Sequence, residues 1–169
     1  MKIWTVPLLF LAINTGAIGQ TFASVQANAL RDARRLATDL SAGNGSSAAS
    51  MIHPNALAAL GGPEKVAAVF STGSQVAKEK GITIAVTVPS APEKVEKVGP
   101  RLFTVVKVNT HLEASSSNSD LTSFWLGVSD NNGGDWTFVI FPNSANAAND
   151  VKTLFPDGIG SLVLPPAAS

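Results

Sequence analysis

Two runs rich in β-branched and aromatic residues, LTSFWLGV (121–128) and WTFVIF (136–141), flank a polar stretch, SDNNGGD (129–135), and this pattern predicts a hairpin. Its alternation is the main constraint on the fold. Phe124, Leu126 and Val128 fall on one face and Trp125 on the other, while Trp136, Phe138 and Ile140 oppose Val139 and Phe141. A sheet that is apolar on both sides must be covered twice, by helices on one face and by further chain or a partner on the other.

Upstream, residues 102–113 alternate as cleanly. Leu102, Thr104, Val106, Val108 and Leu112 share a core face, and Lys107, Asn109, His111 and Glu113 share a polar one. Residues 82–88 (ITIAVTV) predict another strand, which Pro89 ends. Residues 90–100 read as a charged, proline-marked connection and 115–120 as a polar loop.

The first half of the chain has helical periodicity instead. Val25, Ala29, Leu30, Ala33, Leu36, Ala37 and Leu40 recur at three- and four-residue steps, and Arg31, Asp32, Arg34, Arg35 and Asp39 predict a solvated face with an Arg35–Asp39 surface pair. Gly43-Asn44-Gly45 stops this helix. A short turn over 46–51 and a short helix over 55–60, with Pro54 at its first position, lead to Gly61-Gly62. Pro63 and Glu64 then open a second long helix with Val66, Val69, Phe70, Val76 and Ala77 as its buried stripe. Ser71-Thr72-Gly73-Ser74 are poor helix formers, so a kink or break is expected there. A last short helix ends at Phe155-Pro156.

Of the 169 residues 45% are hydrophobic and 14% charged, which suits one domain with a sizeable core. The formal net charge of +0 leaves no basic footprint for nucleic acid. Met1-Lys2, the apolar run 3–13 and the small and polar residues 14–23 predict a secretory signal peptide, cleaved after Gly19 or Ala23. The apolar run is shorter than the roughly 20 residues that cross a bilayer. This leaves a single domain over 24–164 and a flexible tail over 165–169. The chain has 0 cysteines, so a disulfide frame and a thiolate metal site are both excluded, and the expected address is a bacterial periplasm or the medium.

Ser129-Asp130-Asn131-Asn132-Gly133-Gly134-Asp135-Trp136 resembles the Asp-box turn of sialidase-type propellers, with Asn131 in place of the aspartate. One copy cannot build a propeller, so the turn is expected to serve structure: Ser129 and Asn131 cap backbone groups, glycines supply positive φ, and Trp136 packs on the hairpin. Read as an EF-hand the loop fails, because Asp135 stands where glycine is required. His53 and His111 are the only histidines, too few for a zinc set, so neither metal nor cofactor is expected.

The segments HPNALAALGGPEKVAAVF (53–70), RLFTVV (101–106), LGVSDNNGGDWTFV (126–139) and the closing LFPDG to LVLPP (154–166) resemble exported bacterial members of the nuclear transport factor 2-like (SnoaL-like) superfamily. The resemblance implies an α+β cone: helices packed on a strongly curved antiparallel sheet that encloses an apolar pocket. It also implies a homodimer paired through the outer face of the sheet. Enzymes of that superfamily place an aspartate base and often a tyrosine donor in the pocket. With 0 tyrosines here, an oxyanion hole built on a tyrosine hydroxyl is excluded, and a base in the pocket would have to be Asp39, His53 or another residue. The expectation is therefore a non-catalytic exported domain that binds a small apolar ligand or a protein partner, with Phe70, Phe103, Trp125, Trp136 and Phe138 as candidate lining residues. The alternative is an isomerase, dehydratase or cyclase acting in the same pocket.

Overall fold

The computed structural model describes residues 21–141 and 146–165. Almost all of the expected signal segment lies outside them, as do residues 166–169 of the tail. Four helices come first, α1 (Phe22–Ala42), α2 (Gly45–Ser50), α3 (Pro54–Ala59) and α4 (Pro63–Glu79). Strands β1 (Thr83–Thr87), β2 (Val95–Val98), β3 (Arg101–Ala114), β4 (Ser117–Ser129) and β5 (Thr137–Ile140) follow, and α5 (Ala147–Leu154) closes the order. The expected α+β architecture is what forms: helices over a curled antiparallel sheet.

The sheet runs β1-β3-β4-β5, with β2 also on β3. β3 holds β2 along residues 101–104 and β1 along 109–113 of the same edge, changing partner between them. β2 falls inside the stretch read as a connection. Val95 and Val98 are only half-buried there, so four residues interrupted by Glu96 and Lys97 carry little strand signal. The expected loop over 115–120 is also corrected. β4 starts at Ser117 and pairs with β3 without interruption from Ala114↔Ser117 to Leu102↔Ser129. Its first five residues are exposed, so backbone pairing alone extends it.

The register fixes two faces. Thr104, Val106 and Val108 lie with Trp125, Gly127 and Phe138 on the inner face, in one core with Ala29, Ala33, Leu36 and Ala37 of α1. Gly127 leaves room there: a Cβ would lie 2.9 Å from Thr104 Cγ2 and 3.3 Å from both Phe138 and Trp136. Phe103, Leu126, Val128 and Val139 line the outer face, all 2% exposed or less. The chain itself supplies much of this second cover. Phe155, just after α5, meets Phe103 edge-on with ring centroids 5.2 Å apart, and Ile159 is buried beyond it.

Two corrections concern the helices. The charged face of α1 is not wholly solvated: Asp32 is 8% exposed, accepts the Trp136 backbone N–H at 3.0 Å and pairs with Arg31 at 2.7 Å. Asp39, expected to pair with Arg35, instead accepts the Ser47 hydroxyl at 2.6 Å and the Asn44 amide at 3.3 Å.

α4 runs through Ser71–Ser74 without a break. The reason lies in its neighbour. A Cβ on Gly45 would come within 2.2 Å of Ala67 O and of Ser71 Oγ, and one on Gly43 within 2.3 Å of Ser74 Oγ. The small residues that weaken α4 as an isolated helix are those that let the α1–α2 turn seat against it, so packing overrides propensity.

The 129–136 turn is built as the box pattern predicts. Ser129 Oγ accepts the Gly133 N–H and Asn131 Oδ1 accepts the Asp135 N–H, each at 2.9 Å. Positive φ falls on Asn132 and Gly133, and Trp136 is buried.

Gly45→Ala tests the α2–α4 seat. Because the new methyl meets backbone oxygen, the cost should be that of overpacking, roughly 1–3 kcal/mol. The urea midpoint should fall at unchanged m, and an unchanged midpoint would show that α2 can move away freely.

Candidate functional site

The inner face of β5 continues past Phe138 to Ile140, and Ile52 pairs in parallel with Phe138 at that edge of the sheet. The helix layer stands off there. Ile52, Ala56, Ala59, Leu60, Lys65, Val66, Val69, Phe70 and Ile140 enclose a groove of about 410 Å³ between the sheet edge and helices α3 and α4. Ile52, Ala56 and Val66 are buried at its floor, and Phe70 and Ile140 are half-buried. Leu60 (51% exposed) and Val69 (62%) form an apolar rim open to water. The volume lies within the roughly 300–1,000 Å³ of small-molecule sites, and the lining is apolar except for Lys65.

Local sequence accounts for this geometry. Pro54 starts α3, and Gly61 and Gly62 end it with φ of 91° and 100°, which turns the chain into Pro63 at the first position of α4. Val66, Val69 and Phe70 of the α4 stripe thereby face the groove with Ala56 and Ala59 of α3.

The five aromatic candidates do not converge. Phe70 lines the groove. Trp125 and Phe138 pack on each other in the inner core with centroids 5.9 Å apart, and Trp136 joins them beside Gly127. Phe103 is on the outer face. The groove residues passed over as site candidates include Ile52, Lys65 and Ile140. Only the neighbouring Val66, Val69 and Phe70 stripe hinted at them.

The two candidate bases lie elsewhere. Asp39 is held by Ser47 and Asn44 near the α1–α2 turn. His53 is 2% exposed and packs edge-on against Phe155, with centroids 5.0 Å apart. Its chain neighbour Ile52 borders the groove, but the imidazole is not among the groove's lining groups. His53 Nδ1 accepts the Asn55 N–H at 3.2 Å and so caps α3, which leaves the neutral ring's proton on Nε2. That N–H is buried with no hydrogen-bond partner. Asp130 Oδ2 stands 3.9 Å away, and the carboxylate's Oδ1 binds Arg101 Nε at 2.7 Å.

Burial pushes the His53 pKa below its ordinary 6.5; Asp130 partly opposes this and Arg101 adds to it. One nitrogen of this imidazole thus caps α3 and the other is held in the interior. His111, the other histidine, pairs with Asp120 at 2.7 Å on the exposed part of the hairpin. Among the described residues no cluster of three or more metal-ligating side chains occurs, and no helix is long and apolar enough to cross a membrane.

No protein-family model matches the chain, and no curated protein does. Solved structures do. Aln2 from a Streptomyces species superposes with a TM-score of 0.50 at 13% identity, over 66% of this chain and 83% of that one. A nuclear transport factor 2 (NTF2-like) superfamily protein from Salmonella enterica serovar Typhimurium gives 0.49 at 10% identity, over 70% and 89%. This chain has the nuclear transport factor 2-like fold. An M. tuberculosis LEH-like epoxide hydrolase superposes more loosely, with a TM-score of 0.35 at 12% identity over 67% and 84%. At these identities the likeness concerns the NTF2-like fold alone.

The buried imidazole predicts a pH dependence. The unfolded chain takes up the His53 proton more readily than the folded protein does. Stability from the neutral ring is therefore complete above the ordinary pKa of about 6.5 and is lost as pH falls through the lower folded value. The urea midpoint should drop on acidification from about pH 7.5 to 5, and His53→Gln should flatten that slope. An equal slope in both proteins would assign the effect to other groups.

Proposed function

We propose that the protein is an exported, non-catalytic binding domain that holds a small apolar molecule in the groove between α3, α4 and the β5 edge. The observation that carries this reading is the groove itself: about 410 Å³, open, lined among the described residues by eight apolar side chains and Lys65, with no carboxylate or imidazole among them. Acid–base chemistry of the kind the resemblance implies, with a carboxylate or imidazole base, needs that base within hydrogen-bond reach of the reacting proton. Asp39 and His53, the residues considered for that role, have their contacts outside the groove.

Export supplies the address, and α1 bears on the cleavage point. Thr21 caps the helix, its Oγ1 accepting the Ser24 N–H at 3.3 Å, so cleavage after Gly19 keeps the cap and cleavage after Ala23 removes it. We therefore take Gln20 as the mature N-terminus.

Pairing of two copies through the outer sheet face is part of this reading, on a narrower surface than the sequence suggested. Val105, Phe124 and Lys107 form an accessible strip between the 90–94 loop and the 161–165 segment.

Native mass spectrometry of the protein from its own exported fraction tests binding and export together. The denatured mass should correspond to a chain starting at Gln20. The native mass should exceed it by a ligand that Ala59→Trp, at an exposed groove position, removes. A full-length chain contradicts export, and retained mass in the variant contradicts the groove. Light scattering at micromolar concentration decides the pairing: a dimer mass supports it and a monomer mass removes it.

A further inference from the structure

Lys65 is the one charged residue among the nine described residues that line the groove. Three cations pair with carboxylates, Arg31 with Asp32, Lys94 with Glu96 and Arg101 with Asp130, and several surface cations have no such pair among the described residues. Lys65 has no carboxylate within ion-pair distance among the described residues. The side chain folds back over Gly61, where a Cβ would sit 3.0 Å from Lys65 Cδ and 3.4 Å from Nζ. A residue other than glycine at 61 would push the stem away. Gly61 thus serves twice, through its φ of 91° in the α3–α4 turn and through the space it leaves for the lysine.

We propose that the groove takes a single-chain amphiphile with one acidic head, a medium-chain alkyl carboxylate being the simplest member, with the chain along the apolar floor and the carboxylate on Lys65. This rests on the groove reading above and adds the ligand's charge and shape. Three observations carry it. The side chains of its floor and walls are apolar among the described residues: Ile52, Ala56, Val66, Phe70 and Ile140. The polar end offers a cation and no acid, which suits an anion and disfavours an amine. The volume of about 410 Å³ is near the small end of ligand sites, room for one short chain rather than a two-chain lipid. The exposed rim of Leu60 and Val69 lets such a chain enter from water without opening the fold.

Titration calorimetry of the mature protein with decanoate, decanol and decyltrimethylammonium tests this. Decanoate should bind most tightly, ahead of decanol and then of the ammonium. Because Lys65 is solvent-exposed, Lys65→Gln should weaken decanoate by roughly two- to fivefold and leave decanol unchanged. Ala59→Trp should abolish binding of decanoate and decanol alike. Equal binding of decanoate and decanol, both lost in Ala59→Trp, would overturn the acidic-head inference and leave the groove reading intact. Decanoate binding that neither variant alters would place it elsewhere and overturn the inference. Failure of all three compounds to bind would remove the groove reading and this inference with it.

Discussion

The register between β3 and β4 decides which residues meet the helices and which meet the opposite cover. It joins Leu102 to Ser129 and Ala114 to Ser117, and through it Thr104, Val106 and Val108 share a face with Trp125 and Gly127. A slip of one residue that turned Phe103 and Val105 of β3 toward the helices would send Val106 outward while Trp125 of β4 stayed inward, because strand side chains alternate with a period of two. Gly127 reinforces the register. The space it leaves is bordered by Thr104, Phe138 and Trp136, so only this alignment puts a residue without a side chain where three others converge.

Once the sheet is set, the helix layer is fixed by a few polar and small-residue contacts rather than by bulk hydrophobicity. Asp32 reaches from α1 to the Trp136 N–H at the start of the second hairpin strand, tying helix to turn. Ser41 Oγ accepts the Val86 N–H at 2.8 Å, which ties the end of α1 to β1. A buried N–H left without such an acceptor costs about 1–3 kcal/mol, so these contacts specify position as well as contribute stability. Gly43 and Gly45 then let the α1–α2 turn approach α4 closely, and α4 in turn forms one wall of the groove.

The groove and the buried histidine are consequences of the same short segment. Residues 51–53 pair with Phe138 at the sheet edge: His53 N–H donates to Phe138 O at 2.9 Å, and Phe138 N–H donates to Met51 O at 2.8 Å. With the backbone held there, Ile52 faces the groove and His53 contacts Phe155. α5 and the chain after it then complete the outer cover that a two-sided apolar sheet demands, with Phe155 and Ile159 buried. The need for two covers is met in large part within one chain.

Periodicity and local chemistry in the sequence determined the two long helices, the first and third strands, the β4–β5 hairpin and its capped turn, and the helix and proline signals at Pro54 and Pro63. They also carried the resemblance to the NTF2-like fold. Each of these rests on residues close in sequence, so the pattern is local and readable. Tertiary structure alone decided the rest. β2 and the polar start of β4 exist because β3 offers them backbone partners, and α4 stays intact through Ser71–Ser74 because α2 packs there. Asp32 is buried because Trp136, distant in sequence, presents an N–H to it. The site depended most on such distant contacts. Phe70, Phe103, Trp125, Trp136 and Phe138 look alike as aromatic residues in apolar runs, and only the sheet's two faces and the gap at its β5 edge separate core from outer cover and from groove. Lys65 gained its place at the groove because Gly61, four residues earlier, lets the side chain fold back, a relation that no hydrophobic pattern records.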